Sequence, residues 1–201
     1  MRLIGMLDSP YVRRVAITAR LMGLGYTHEP LSVFRNYDDF ATINPVVKAP
    51  TLVTDDGAVL MDSELILEWL GRLAPRLVPA VPADHARALR ITGLALAACE
   101  KAVQIVYEHQ LRPTEKRHQP WLDRVSTQLR AAWGLLDGMA GTGESWLFGE
   151  TPLEADVTLA VAWRFTQEMA GGHVPAADHP AMARFSARAE ALPQFRDAPF
   201  G

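Results

Sequence analysis

The chain is expected to form an α/β N-terminal domain followed by an all-α C-terminal helical domain. Strand-type patterns are confined to roughly the first 74 of its 201 residues. A run with three prolines, Ala74-Pro75-Arg76-Leu77-Val78-Pro79-Ala80-Val81-Pro82-Ala83, cannot lie inside a helix and reads as a linker over residues 75–83. Beyond it, apolar residues recur almost only at helical spacing, and alanine, the best helix former, is abundant.

The first element is the apolar run Arg2-Leu3-Ile4-Gly5-Met6-Leu7, a buried strand. Pro10 then suits the first position of a helix, where its missing N–H costs nothing. Val12, Val15, Ala16, Ala19 and Met22 follow at helical spacing, and Gly23 and Gly25 end the run. Ser9 thus stands at a helix mouth, just past the end of a strand. The unpaired N–H groups of such a mouth and the serine hydroxyl together stabilise an anion, and a thiolate is one anion they can hold. Residues 27–34 contain a second extended stretch. A polar loop, Arg35-Asn36-Tyr37-Asp38-Asp39, leads to a short helix near Phe40. Pro50-Thr51-Leu52-Val53-Thr54 and Ala58-Val59-Leu60-Met61 flank Asp55-Asp56-Gly57, which supplies the positive φ of a hairpin turn. A helix with Leu65, Ile66, Trp69, Leu70 and Leu73 on one face closes the first part. The order is βαβ then ββα, with a right-handed crossover that makes the first two strands parallel. That is the order of a thioredoxin-like domain, placed here at residues 1–74. Residues 84–201 form the helical domain, with helices expected over 84–109, 120–139, 155–170 and 180–192.

Composition narrows the function. A net charge of −3 offers no basis for binding nucleic acid or an anionic membrane. No apolar window is long enough to span a bilayer, and no signal-peptide pattern precedes the first strand. Cys99 is the only cysteine, so an internal disulfide and a cysteine-rich metal site are both excluded, and a reducing, cytoplasmic setting is expected. Cys99 itself reads as a small core residue. His28, His85, His109, His118, His173 and His179 show no metal-ligand spacing, and no metal is expected. Neither a Gly-x-Ser-x-Gly elbow nor a phosphate-binding glycine loop is present.

Four segments carry a family resemblance. They are Ser9-Pro10-Tyr11-Val12-Arg13, Asn44-Pro45-Val46-Val47-Lys48-Ala49-Pro50-Thr51-Leu52, Leu60-Met61-Asp62-Ser63-Glu64-Leu65-Ile66, and Gly149-Glu150-Thr151-Pro152-Leu153-Glu154-Ala155-Asp156. In this order, around the proline linker, they resemble the catalytic serine loop, the Asn-Pro…Val-Pro-x-Leu segment, the (Glu/Gln)-Ser-x-x-Ile signature and the Gly-Asp-x-x-Thr-x-Ala-Asp box of the cytosolic glutathione transferases, in their serine-type, bacterial-like form. Taken singly each has a plainer reading: Ser9 and Asp62-Ser63 as helix caps, Pro50 as a turn proline, Asp156 as a polar residue near a helix start.

The resemblance implies a site for glutathione as co-substrate. Ser63 and the N–H groups opening its helix would receive the γ-glutamyl carboxylate, and Asp62, shorter than the family's usual Glu or Gln, the ammonium. A cis Ala49-Pro50 bond would turn the main chain of Ala49 toward the cysteinyl backbone. Lys48 and Arg35 are the cations for the glycyl carboxylate, and Arg13 or Arg14 adds positive field or serves as a plain helix charge. Ser9 is the catalytic residue: it donates to the sulfur and depresses the thiol pKa, whose ordinary value is about 8.5. Lowering it by two units takes ~2.7 kcal/mol, within reach of one hydrogen bond to a charged group, about 1.5–3 kcal/mol, plus the helix mouth. Tyr11, Tyr107 and Arg112 are expected to line a pocket between the domains for a small electrophile or hydroperoxide, whereas Trp163 and Phe165 read as core. A homodimer is expected, with Glu100 a candidate to reach the partner's site. Leu153 stands where the family has a capping Ser or Thr, a loss that Thr151 or Asp156 can offset.

Three outcomes stay open at the level of sequence. The chain conjugates or reduces a substrate as a glutathione transferase; it is a glutathione-dependent isomerase, although Asp8-Ser9-Pro10 lacks the Ser-Ser-Cys run of that branch; or it is a non-catalytic interaction protein of this fold that binds transcription or translation machinery.

Overall fold

The computed structural model describes residues 1–201. They divide into two compact units, Met1–Leu77 with Leu192–Gly201, and Val78–Ala191.

In the first unit β1 (Arg2–Ile4), α1 (Pro10–Leu21), β2 (Thr27–Glu29), α2 (Tyr37–Ile43), β3 (Thr51–Val53), β4 (Val59–Met61) and α3 (Ser63–Leu70) follow in order. The sheet order is β2-β1-β3-β4. Leu3 pairs with His28 in the parallel β1–β2 ladder and with Leu52 across the antiparallel β1–β3 ladder, and Leu52 faces Leu60 in the hairpin. Leu3, Ile4, Leu52, Ile66, Leu67 and Leu70 are almost wholly buried with Val12, Val15 and Ile17 of α1.

Two elements are shorter than the sequence predicts. β1 stops at Ile4 because Gly5 turns to φ +135°, although its N–H still reaches Glu29 O at 3.0 Å. β2 ends at Glu29 because Pro30 follows and has no N–H to extend the ladder. The turn at Gly57, φ +89°, forms as expected, closed by Thr54 N–H donating to Ala58 O at 2.9 Å.

The second unit is helical: α4 (Pro82–Gln110), α5 (Gln119–Met139), α6 (Glu154–Ala170) and α7 (Pro180–Glu190). Pro82 opens α4 at its first turn, so the last linker proline begins the helix. Buried Ala88, Ala95, Ala98 and Ala102 let α5 and α6 approach α4 closely. Trp133 of α5 donates Nε1–H to Thr166 Oγ1 of α6 at 3.2 Å and meets Trp163 edge-on, with centroids 4.9 Å apart. Trp163, Phe165 and Cys99 are buried here, as core residues. No helix is long and apolar enough to cross a membrane.

The chain end departs from the expected domain boundary. α8 (Pro193–Arg196) and residues up to 201 belong to the first unit, not to the helical domain drawn over 84–201. The reason lies in α1: Arg13, 1% exposed, donates Nε–H to Ala198 O at 2.8 Å and lies over the Phe195 ring at 5.5 Å.

Candidate functional site

Ser9 is the N-cap of α1, in extended conformation (φ −71°, ψ 123°), with Pro10 in the first turn. Its Oγ accepts a long bond, 3.4 Å, from Val12 N–H. No residue of that first turn is acidic, so the positive end of the helix is not neutralised from within. The hydroxyl hydrogen enters no bond inside the protein.

The second piece of the site is main chain. The Ala49-Pro50 bond is cis, and neither the N–H nor the C=O of Ala49 makes a hydrogen bond within the protein. Gly5 brings this segment against α1: a Cβ there would stand 2.6 Å from Val12 Cγ2 and 3.0 Å from Ala49 Cβ. Only glycine tolerates both that contact and its positive φ.

The third piece is the mouth of α3. Asp62 caps it, its Oδ1 accepting from Glu64 N–H at 3.0 Å, with φ at +73°, a conformation that costs a non-glycine residue about 1–3 kcal/mol. Ser63 is 3% exposed, and its Oγ accepts from Arg14 Nη1 at 3.0 Å. Arg14 is also 3% exposed. This bond ties α1 to α3, so that the Ser9 loop, the Ala49 main chain and the Ser63 helix mouth are joined by direct contacts.

The charged residues are arranged differently from expectation. Lys48 Nζ lies 3.4 Å from Asp62 Oδ2, with both side chains about half exposed, so the two charges expected at opposite ends of a ligand face each other. Arg35 is exposed; its N–H donates to Ser32 Oγ, and no hydrogen bond or ion pair links its guanidinium to the cluster. Arg13 and Arg14 are neither solvated nor surface ion pairs, but interior groups. The available signal was their position in Val12–Ala19, a run apolar on every side, which buries whatever polar residues it contains.

Tyr11 lies in the first turn of α1, partly exposed. Tyr107 of α4 is 43% exposed, and burial raises its hydroxyl pKa above the usual 10. Arg112 is held by Glu108, Nε to Oε2 at 2.9 Å, while Glu108 Oε1 accepts the His118 N–H at 2.9 Å and anchors the start of α5. Arg112 therefore has a partner within its own unit. No three His, Cys, Asp or Glu side chains stand close enough to hold a metal ion.

In the helical unit, Leu153 offers no capping oxygen, and Asp156 compensates. Its Oδ2 accepts from Leu153 N–H at 2.9 Å and its Oδ1 from Leu147 N–H at 2.8 Å. Asp156 is fully buried; burial pushes its carboxyl pKa up, opposed by these hydrogen bonds and by Arg188.

Residues 3–80 match the family model for the glutathione S-transferase N-terminal domain, and residues 119–188 that for its C-terminal domain. A maleylacetoacetate isomerase of Pseudomonas aeruginosa is 30% identical over 92% of this chain and 89% of its own. A glutathione S-transferase from Methylobacterium radiotolerans, solved in complex with glutathione sulfonate, superposes with a TM-score of 0.91 at 28% identity, covering 100% of this chain and 95% of that one. A glutathione transferase family member from Pseudomonas fluorescens Pf-5, solved with bound glutathione, has a TM-score of 0.83 at 25% identity over 98% and 97% of the two chains.

Proposed function

This chain belongs to the glutathione S-transferase family, and from that premise we propose that it binds glutathione at the junction of α1, Ala49 and α3 and turns its thiol into a nucleophile. The observation that carries this reading is three features of one unit: the Ser9 hydroxyl, whose hydrogen has no acceptor in the protein, the unpaired main chain of Ala49, and the mouth of α3, where Ser63 is held by buried Arg14. The complexes of the relatives from Methylobacterium and Pseudomonas fluorescens with glutathione sulfonate and glutathione support it.

Ser9 Oγ–H donates to the sulfur, and the helix mouth adds its partial positive charge. Ala49 pairs its N–H and C=O with the cysteinyl backbone, held by Pro50 behind it. Ser63 accepts from Arg14, so its own hydrogen is free to donate to the γ-glutamyl carboxylate, with the buried guanidinium polarising it. Asp62 takes the ammonium. Lys48 takes the glycyl carboxylate, and Arg35, whose guanidinium is free in the protein, is the second cation proposed for it. For this the Lys48–Asp62 contact opens, at little cost, since exposed pairs are worth roughly 0–1 kcal/mol. The thiol proton goes to solvent, and the thiolate attacks an electrophilic carbon. A C–S bond forms and the leaving group departs with its electron pair. No protein residue is modified; the enzyme sets charge and position. We assign Tyr11, in the first turn of α1 beside Ser9, to the electrophile, and a cytoplasmic homodimer is the form in which the protein would work.

Calorimetric titration with glutathione, followed by glutathione consumption with a panel of small electrophiles, tests this reading. One glutathione bound per chain and consumption of the thiol are expected. Absence of binding at millimolar glutathione contradicts it and favours the interaction-protein reading. The isomerase relative supports a second reading of the same site: glutathione adds to the substrate and leaves again, so turnover proceeds without net loss of thiol.

A further inference from the structure

We propose that the C-terminal tail, acting through Arg13, positions the Ser9 hydroxyl, which makes Arg13 a positioning residue for thiolate stabilisation; this rests on the assignment of Ser9 above. The cap bond of Ser9 is long, 3.4 Å, and Ser9 makes no other side-chain bond in the protein. The place of its hydroxyl is therefore set by the backbone of the first turn of α1. The first bond of that turn runs from Arg13 N–H to Ser9 O at 2.9 Å. The same residue that closes the turn sends its side chain into the tail.

That side chain is 1% exposed. A guanidinium keeps its charge at any working pH, so burial requires fixed acceptors. The tail supplies them: Ala198 O at 2.8 Å from Nε, Phe195 O at 3.5 Å from Nη2, and the face of Phe195, itself 1% exposed, at 5.5 Å. The Phe195 and Ala198 backbones are tied to each other, Ala198 N–H donating to Phe195 O at 3.2 Å, so the acceptors form one rigid turn. A planar donor fork clamped by two carbonyls and a ring has one orientation. Its Cα, and with it the first turn of α1, is held in place. About two turns further along α1, Arg20 meets Asp197 of the tail at 3.7 Å, but this contact is exposed on both sides and is far too weak to do the same.

The test uses full-length Arg13→Gln, Arg13→Lys, Phe195→Leu and Arg20→Ala, each with saturating glutathione. The thiol pKa of the bound tripeptide is read by thiolate absorbance against pH, alongside its dissociation constant. Arg13→Gln is expected to raise the bound thiol pKa by about one unit, a roughly tenfold loss of thiolate at low pH, while affinity changes by less than about threefold. Phe195→Leu and Arg13→Lys shift it in the same direction by less, and Arg20→Ala leaves it unchanged. A merely structural Arg13 would lower thermal stability and leave the bound pKa at the wild-type value in all three tail variants, and that result overturns the proposal. If Arg13→Gln does not fold, Arg13→Lys and Phe195→Leu decide the question. A wild-type protein that binds glutathione without depressing its thiol pKa sinks the Ser9 reading itself, and it does so before any variant is made.

Discussion

Among the individual residues, Lys48 separates a binding role from a stabilising one. Its ammonium meets Asp62 across a half-exposed 3.4 Å contact. Such a pair contributes at most about 1 kcal/mol to stability, whereas a charge-assisted bond to a carboxylate contributes about 1.5–3 kcal/mol to binding. Lys48→Ala should therefore weaken glutathione binding by about tenfold or more and leave the melting temperature nearly unchanged. A variant that melts earlier but binds equally well would show the contact to be structural. Ser9 and Asp62-Ser63 were legible as helix starts from local pattern, whereas the Ala49-Pro50 main chain was reached only through the family resemblance, because a turn proline by itself is most often trans. The Lys48–Asp62 contact and the Arg14–Ser63 bond were not legible, because they join residues 14 and 49 positions apart. Side-chain direction across a fold is not written in local spacing.

α6 shows how one carboxylate replaces a missing cap. Its mouth has leucine where a hydroxyl would serve, and Asp156 holds both the Leu153 N–H and the Leu147 N–H from within the first turn. Asp156→Ala leaves two donors without partners, each costing about 1–3 kcal/mol. Thermal unfolding should then shift down by roughly 10 °C. Asp156→Asn retains an acceptor for one donor only and should lie between. Because burial raises the Asp156 pKa above 3.8, the folded state holds its proton more tightly than the unfolded chain. This contribution is full below pH 3.8 and is lost as pH rises through the raised value, so the Asn variant should lack that part of the pH dependence. Element by element, the helices of the second unit were readable to within a few residues, since their caps and prolines are local. The ends of β1 and β2 were not, because the ladder stops at a glycine turned to positive φ and at the residue before a proline, while the apolar pattern runs on.

Across the whole molecule, stability in mild acid is expected to depend on the helical unit. His173 donates or accepts through Nδ1 to Ser126 Oγ of α5 at 2.9 Å and faces His109 of α4, with ring centroids 6.2 Å apart. Burial lowers its pKa below 6.5, and the charges of His109 and of Arg130 on α5 lower it further. The folded state thus binds this proton less readily than the unfolded one. The contribution is fully present above pH 6.5 and disappears as pH falls through the lowered value. Resistance of the wild type to denaturant should fall over that interval, and that of His173→Gln should fall less; parallel curves would show that His173 does not contribute. The division of the chain into an α/β and a helical part was legible from the proline run, but the return of residues 192–201 to the first unit was not. Its cause is a single buried guanidinium on α1, which seeks main-chain carbonyls nearly two hundred residues away. The central claim, that Ser9 at the mouth of α1 stabilises a thiolate, is tested most directly by the thiol pKa of bound glutathione in wild type and Ser9→Ala. A value about two units below the free thiol's 8.5 is expected in wild type, with a rise of at least one unit in the variant. An equal pKa in the two proteins would contradict the claim.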